Sequence, residues 1–156
     1  MRLDQVTERR GKVQVWIYWI SKAVDPIGSG EFRVLLLKTI PERESFWQPV
    51  TGGIEHGETP EVAARREVFE ETGLIPSEPL FSLGEPFDFE SRWGPAREVA
   101  FGCQVEGSSS APPGVRLDPR EHDQFAWVFA EKALEQLRFD SNAQMLINLT
   151  KKLVRK

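Results

Sequence analysis

The stretch GGIEHGETPEVAARREVFEETGL, residues 52–74, decides how the rest of the sequence is interpreted. Thr59 can cap a helix and Pro60 suits the first helical position, whereas Gly73 suits a helix end. We therefore predict a helix over residues 59–72. Three glycines in the segment before it allow a loop whose backbone approaches a ligand closely.

Three glutamates of the predicted helix are expected to point to one side. Glu70 and Glu71 follow Glu67 at offsets of three and four, the spacing that places side chains on one helix face. Like charges at this spacing repel, and a divalent cation between them removes the repulsion. Oxygen ligands alone favour a hard ion, so we predict Mg²⁺, with Mn²⁺ as the alternative. Arg66 is placed to orient the Glu67 carboxylate. A solvated acidic helix face is the simpler alternative, and the glycine-bearing loop beside the helix argues against it.

This stretch is identified as the signature of the Nudix hydrolases. The pattern has every specified position: Gly52, five residues, Glu58, seven residues, Arg66-Glu67-Val68, one residue, Glu70-Glu71, one residue, Gly73-Leu74. So many fixed positions make the match specific. The resemblance implies an α+β fold, the Nudix α/β/α sandwich with a mixed central sheet. It also implies a hydrolase that cuts pyrophosphate bonds.

The resemblance assigns roles to individual positions. It implies metal ligands at Glu67, Glu70 and Glu71, with a backbone carbonyl at Thr51 or Gly52 completing the coordination. It also implies that Glu58 supports the loop, and it gives catalytic roles to Arg66, Glu70 and Glu71.

Glu121 follows a flexible loop and precedes a strand, and it is our candidate for a further metal ligand and for the general base. A surface carboxylate is equally consistent with its position. The general base could also lie in the signature helix. His122 and His56 are predicted to be bystanders.

The remaining sequence predicts further strands and helices around this segment. Strands are expected over residues 13–21, 31–39, 80–89, 97–106 and 124–129, a turn over 25–30, a flexible loop over 107–114, and helices over 130–137 and 141–153. The first two strands are expected to form an antiparallel pair, with a parallel arrangement left open. No repeat or second domain is evident, so residues 1–156 are predicted to form a single Nudix hydrolase domain.

The bulk properties limit the partners and the location. The net charge of -4 argues against a broad nucleic-acid surface. We therefore expect a small-molecule nucleotide or pterin triphosphate substrate and no long nucleic acid. Cys103 is the only cysteine, which excludes an intrachain disulfide and a cysteine-rich zinc site; we predict a buried strand residue. Charges interrupt the first ten residues, and the apolar run 13–20 is too short to cross a bilayer. No membrane association and a cytoplasmic location are expected, and the oligomeric state is left open.

The segment before the signature narrows the substrate. FWQPVTG, residues 46–52, resembles the bacterial Nudix subgroup that acts on dihydroneopterin triphosphate and on dATP, as do Glu121-His122, Trp127 and Ser141-Asn142. That resemblance implies release of a monophosphate and pyrophosphate. Residues 46–53 are also similar to those of dinucleoside polyphosphate hydrolases and RNA 5′-pyrophosphohydrolases, which gives one alternative. A non-catalytic nucleotide-binding Nudix module is another, and the complete set of glutamates disfavours it.

Five residues are predicted to contact the substrate: Lys38, Trp47, Gln48, Arg97 and Asn142. Lys38 and Arg97 would meet phosphates, although a surface role suits them as well. An aromatic ring of Trp47, Phe125 or Trp93 would stack on a base or pterin, with a place in the core as the alternative. Asn142 would read a base edge or, instead, cap the last helix.

Overall fold

The computed structural model describes residues 9–21 and 31–154. The turn predicted over 25–30 lies outside these residues, as do residues 1–8 of the segment expected to lack a signal peptide. The described part forms eight strands and three α-helices: β1 (Arg10–Ile20), β2 (Phe32–Thr39), β3 (Trp47–Gln48), β4 (Val50–Gly53), α1 (Pro60–Thr72), β5 (Phe81–Ser82), β6 (Phe87–Ser91), β7 (Gly94–Gln104), β8 (His122–Val128), α2 (Ala130–Gln136) and α3 (Asp140–Val154). A 3-10 turn, Pro41–Arg43, follows β2.

The strands form one mixed sheet with β1 at its centre. β1 runs parallel to β7 and antiparallel to β2 and β4. The predicted antiparallel pairing of the first two strands is therefore confirmed, with Tyr18 opposite Val34. β2 pairs with the end of β1 and then turns to β3 and β8, whereas β4 pairs with the beginning of β1. The sheet thus divides beside β1. The residues before Pro49 pair with β2, and the residues after it pair with β1.

Each face of the sheet is covered by helix. Successive side chains of a strand point to opposite faces, and β1 is buried on both. One face packs against α1 through Val13, Val15 and the helix residue Val68. The other packs against α2 and α3 through residues that include Trp16 and Leu146. This arrangement is the α/β/α sandwich that the sequence predicts.

The bounds of α1 follow from its two ends. Thr59 Oγ1 accepts a hydrogen bond from Val62 N at 3.2 Å, and Pro60 is the first helical residue. Gly73 has φ 75°, a left-handed conformation that favours glycine, and its N–H donates to Phe69 O. The helix predicted from these signals is confirmed.

The continuous strand predicted over 80–89 is wrong. The segment contains two short strands, β5 and β6, separated by a bend at residues 83–86. In the bend Gly84 N donates to Ser82 Oγ at 3.3 Å, and Pro86 has no N–H to give to a sheet. Both β5 and β6 pair with β7, which is long enough to serve both.

Two bulk expectations can be compared with these elements. Cys103 is fully buried in β7, as predicted, and burial raises the pKa of its thiol to about 12. Such a thiol is an unreactive packing residue. No helix in the described ranges is both long and apolar enough to cross a membrane.

Candidate active site

The three glutamates of α1 differ in their surroundings. Glu67 and Glu71 lie on the packed side of the helix and are 9% and 3% exposed. The Glu70 side chain is 54% exposed and lies at the rim. Glu67 and Glu71 are four residues apart and lie on the helix face that Val68 also buries. Glu70 is the neighbour of Glu71 in sequence, so its side chain leaves the helix in a different direction. The cluster is therefore a buried pair with a third carboxylate beside it.

Gly52 allows β4 to approach α1. A Cβ atom at Gly52 would overlap the carboxyl group of Glu67, whereas a Cβ at Gly53 would meet nothing within 4 Å. The Glu67 side chain thus passes directly over the backbone of Gly52. This contact explains why the first position of the signature is glycine: a side chain at position 52 would overlap Glu67.

Arg66 ties the helix to the preceding loop. Its guanidinium donates from Nε to Glu58 Oε2 at 2.7 Å, from Nη2 to Glu58 Oε1 at 3.0 Å, and from Nη2 to Gly53 O at 2.8 Å. Nη1 donates to Glu67 Oε2 at 3.1 Å and to Glu70 Oε1 at 3.2 Å. One planar fork therefore orients three carboxylates. Glu58 also accepts from Glu55 N at 2.8 Å, which closes the loop.

A second segment brings polar groups to Glu71 from the start of β8. Glu71, Glu121 and His122 each place one ligand atom so that all three atoms lie within 4.8 Å of one another. His122 Nδ1 lies 3.3 Å from Glu71 Oε1 without hydrogen-bond geometry. Both atoms are buried and have no hydrogen-bond partner among the described residues. His122, which the sequence predicts to be a bystander, thus lies within the cluster that could hold a metal ion.

Charge in this cluster is poorly compensated. Burial raises the pKa of Glu71 far above its ordinary value, and the carboxyl groups of Glu121 and Glu67 raise it further. Burial also raises the pKa of Glu67, against the opposing effect of Arg66. A buried carboxylate with carboxylate neighbours is costly unless a cation joins them. The orphaned oxygen and the oxygen-rich donor set fit a hard divalent cation.

His122 is held as a neutral ring. Burial lowers the pKa of His122, so the imidazole is uncharged at neutral pH. Gln48 Nε2 lies 3.0 Å from His122 Nε2, and an amide N–H donates to the ring nitrogen there. The ring hydrogen is then on Nδ1, near Glu71 Oε1 but not in hydrogen-bonding geometry with it. Gln48 thus determines which nitrogen of the neutral ring carries the hydrogen, and this nitrogen is the one nearer to Glu71.

A cavity of about 580 Å³ opens on the face of the sheet opposite α1, between the β6–β7 hairpin and the start of α3. Its polar lining includes Gln48, Thr51, Glu98 and Asn142. The volume is within the range of small-molecule sites. Gln48 also contacts His122, and Thr51 precedes Gly52, so the cavity adjoins the acidic cluster.

The structure brings two of the five predicted substrate contacts to this cavity. Gln48 and Asn142 line it. Lys38 Nζ lies 5.9 Å from the centre of the Trp47 ring, and neither residue is part of the lining. Arg97 is on the opposite face of β7 from Glu98, and it donates to Asp88 at 2.7 Å and 3.2 Å. These three residues lie outside the cavity lining, and their contact with the substrate stays a prediction.

The structure also locates two further aromatic residues considered for stacking, and it shows whether Asn142 caps the last helix. Trp93 and Phe125 are 67% and 41% exposed, and neither lines the cavity. Asn142 is the third residue of α3 and is 6% exposed, and its side chain makes no helix-capping hydrogen bond within the described part of the chain. The capping interpretation of Asn142 is therefore wrong.

Gln14 and Glu98 are cavity-side residues that the sequence interpretation missed. Both are buried, at 0% and 5% exposure, and Gln14 Nε2 donates to Glu98 Oε1 at 3.1 Å. The available signal was a polar residue at an inward position of an otherwise apolar strand. A single such residue does not show which distant strand supplies its partner.

Comparisons with known proteins agree with this arrangement. The NUDIX domain family model matches residues 23–149. The dihydroneopterin triphosphate diphosphatase of Haemophilus influenzae is 36% identical over 127 residues, which cover 73% of this chain and 76% of that protein. The octanoyltransferase of Myxococcus xanthus is 43% identical over 115 residues, which cover 70% of this chain and 30% of that protein. The chain therefore spans less than a third of the octanoyltransferase.

A solved structure shows the same fold. A Caenorhabditis elegans Ap4A hydrolase binary complex superimposes with a TM-score of 0.71 at 22% identity, covering 92% of this chain and 97% of that one. At this identity the likeness concerns the fold alone.

Proposed function

The chain belongs to the Nudix family of hydrolases that act on pyrophosphate bonds, and we propose that it cleaves dihydroneopterin triphosphate or a nucleoside triphosphate. The products are the monophosphate and pyrophosphate, and the required ion is Mg²⁺, with Mn²⁺ as a substitute. The relative from Haemophilus influenzae, similar over three quarters of its length, supports the first of these substrates. As part of the proposal, residues 1–156 act as one domain on small molecules in the cytoplasm.

One observation carries the proposal: Glu71 is 3% exposed, and its Oε1 has no donor among the described residues. Glu67 and Glu121 add charge of the same sign around it. These three carboxylates would hold the ion, with Glu70 and the Gly52 carbonyl as further donors. When bound, Mg²⁺ supplies charge neutralisation at the phosphates and lowers the pKa of water.

The chain's own residues then orient the reactants. Arg66 holds the carboxylates of Glu67 and Glu70 in place. Glu121, whose side chain is 36% exposed, accepts the proton of the attacking water at its carboxylate. The neutral ring of His122, fixed by Gln48, closes the side of the cluster toward the sheet. A triphosphate whose ring occupies the cavity would extend past Gln48 toward these carboxylates.

A substrate panel tests the proposal. Dihydroneopterin triphosphate, dGTP, dATP, Ap4A and a 5′-triphosphorylated RNA are each incubated with enzyme and Mg²⁺ or with EDTA, and the products are identified by mass. We expect pyrophosphate release from the pterin or nucleoside triphosphates, and none in EDTA. Faster cleavage of Ap4A or RNA would overturn the substrate assignment in favour of the alternative hydrolases.

Glu71→Gln separates an enzyme from a nucleotide-binding module. Loss of a residue behind a metal ligand costs about 10–100-fold in activity, and loss of this central carboxylate should cost more. Glu61→Gln is the matched control, because Glu61 is on the same helix, exposed and paired with Arg65. Full activity of Glu71→Gln, or binding without turnover in the unsubstituted protein, would contradict the proposal.

A further inference from the structure

A chain of hydrogen bonds fixes a buried carboxylate in the wall of the cavity. The Trp16 indole N–H can only donate, and it donates to Gln14 Oε1 at 2.8 Å. The amide nitrogen of Gln14 is therefore directed to Glu98 Oε1, at 3.1 Å. Glu98 must accept this bond. The direction of both hydrogen bonds is therefore determined by Trp16, a residue of the core. Trp16 and Gln14 are both 0% exposed.

Glu98 retains acceptor capacity on the side of the cavity. A carboxylate offers about four lone-pair sites, and Gln14 is the one hydrogen-bond donor to Glu98 among the residues described. Glu98 is 5% exposed and lines the cavity. Its unused acceptor sites are thus available to a ligand and shielded from bulk water. A buried carboxylate in this situation gains most from N–H donors.

Two further features fit a flat heterocycle beside this carboxylate. Phe87 is opposite Glu98 in the β6–β7 ladder and also lines the cavity, so a ring lying against Glu98 can stack on it. Asn142 lines the cavity from α3, and its side-chain amide has no hydrogen bond to any described residue. The donors and the acceptor of this amide are therefore open to a ligand in the cavity.

We propose that Glu98 selects a ring carrying the 2-amino-4-oxopyrimidine edge, the edge that pterins and guanine share. This inference rests on the proposed function and names the ring that the hydrolase accepts. The edge presents an amino N–H and a ring N–H side by side, and both can donate to one carboxylate. The adjacent exocyclic carbonyl oxygen can accept from the Asn142 amide. Adenine instead presents a ring nitrogen with a lone pair, which a carboxylate repels.

The expected selectivity follows from this difference. A bidentate contact between a side chain and a base edge is worth about 1–3 kcal/mol of discrimination, or roughly fivefold to 150-fold. We therefore expect kcat/KM for dihydroneopterin triphosphate or dGTP to exceed that for dATP by about tenfold or more. The ratio of the first two substrates identifies whether the pterin or the guanine nucleotide is preferred.

Glu98→Gln is the decisive variant, because glutamine keeps the shape and can still accept from Gln14. We expect kcat/KM for both 2-amino-4-oxo substrates to fall about tenfold, while dATP is unchanged or improved, since an amide can both donate and accept. Glu135→Gln, on the exposed surface of α2, is the matched control and should retain the original ratio. If dATP is hydrolysed as well as the other two, or if Glu98→Gln retains the selectivity, the proposal is overturned.

A binding measurement separates this inference from the proposed function. Dissociation constants of neopterin monophosphate, dGMP and dAMP are measured by calorimetry in EDTA, where no hydrolysis occurs. Weaker binding of dAMP by about tenfold, lost in Glu98→Gln, supports ring selection even if no triphosphate is cleaved. Equal binding of the three overturns it even if the enzyme is an active hydrolase. The unsubstituted protein gives this result by itself if the variant does not fold.

Discussion

Glu71 and Glu98 are both buried carboxyl groups, but their surroundings are opposite. Glu71 has carboxylates on two sides, and its Oε1 has no donor in the described part of the chain. Glu98 accepts from an amide that a tryptophan holds in position. The first environment calls for a cation, whereas Glu98 already has the Lys12 ammonium nearby and keeps acceptor sites for N–H donors. Burial of an acidic residue therefore does not define its partner; the groups already bonded to it do.

The two sites should also fail in different ways. The acidic cluster acts on the phosphates, which every substrate of the panel shares. The wall around Glu98 faces the ring, which differs from one substrate to the next. Changes in the cluster should therefore slow all substrates by one factor, and changes around Glu98 should alter the ratio between them.

Among substitutions outside the carboxylates themselves, Arg66→Lys should have the largest effect. Lysine cannot reproduce the fork that joins Glu58, Gly53 O and Glu67. Loss of such support behind a metal ligand costs about 10–100-fold, and we expect kcat/KM to fall by this factor equally for the pterin and purine triphosphates. Arg65→Lys, on the exposed side of the same helix, is the control. A change in the substrate ratio would contradict the division between the two sites.

Gly52→Ala tests the packing of β4 against the cluster. The added methyl overlaps the Glu67 carboxyl group, and overpacking of this kind costs about 1–3 kcal/mol. We expect a lower free energy of unfolding in urea and a higher Mg²⁺ concentration for half-maximal activity. Gly53→Ala adds the same methyl where nothing lies within 4 Å, so it should leave both quantities nearly unchanged. Equal effects of the two substitutions would remove the steric role of Gly52.

The two sites also differ in how far the sequence predicts them. The ends of α1, the Arg66 position and the buried glutamates all lie within residues 52–74, where local rules of capping and helical spacing apply. Glu98 and Gln14 meet only because β1 pairs in parallel with β7, and Asn142 lines the same cavity as Glu98 because α3 packs near β1. No local pattern encodes that pairing. The position of His122 beside Glu71 is not encoded locally either, since it depends on how β8 joins β2.

The pH dependence of stability should distinguish Glu71 in the metal-free protein. Its folded-state pKa is raised above the ordinary 4.5, so the folded protein binds more protons than the unfolded chain above that pH. Its contribution is fully present below pH 4.5 and is lost as pH rises toward the folded pKa. The slope is at most about 1.4 kcal/mol per pH unit for one proton.

Urea unfolding in EDTA between pH 5 and 8 measures this slope. Glu71→Gln removes the titrating group, so its unfolding free energy should depend less steeply on pH than that of the unsubstituted protein. Glu61→Gln should keep the original slope. An unchanged slope in Glu71→Gln would show that the cluster is not strained by charge when the metal is absent.

Trp16→Phe should have the smallest effect and tests whether the cavity wall is set from the core. Without the indole N–H, Gln14 Oε1 loses its donor and the amide is free to turn its oxygen toward Glu98. One neutral hydrogen bond is worth about 0.5–1.5 kcal/mol, so we expect the preference for the 2-amino-4-oxo ring to fall about twofold to tenfold. KM for those substrates should rise while kcat stays constant, because Trp16 positions a binding group and touches no reacting atom.

Trp19→Phe provides the control for lost volume. Trp19 is 4% exposed and packs on the α1 side of the sheet, away from the cavity. Both substitutions should lower the unfolding midpoint, because each removes buried apolar volume. Only Trp16→Phe should alter the substrate ratio. If both variants shift it equally, the selectivity depends on the general stability of the sheet, and the hydrogen-bond chain from Trp16 to Glu98 is not its cause.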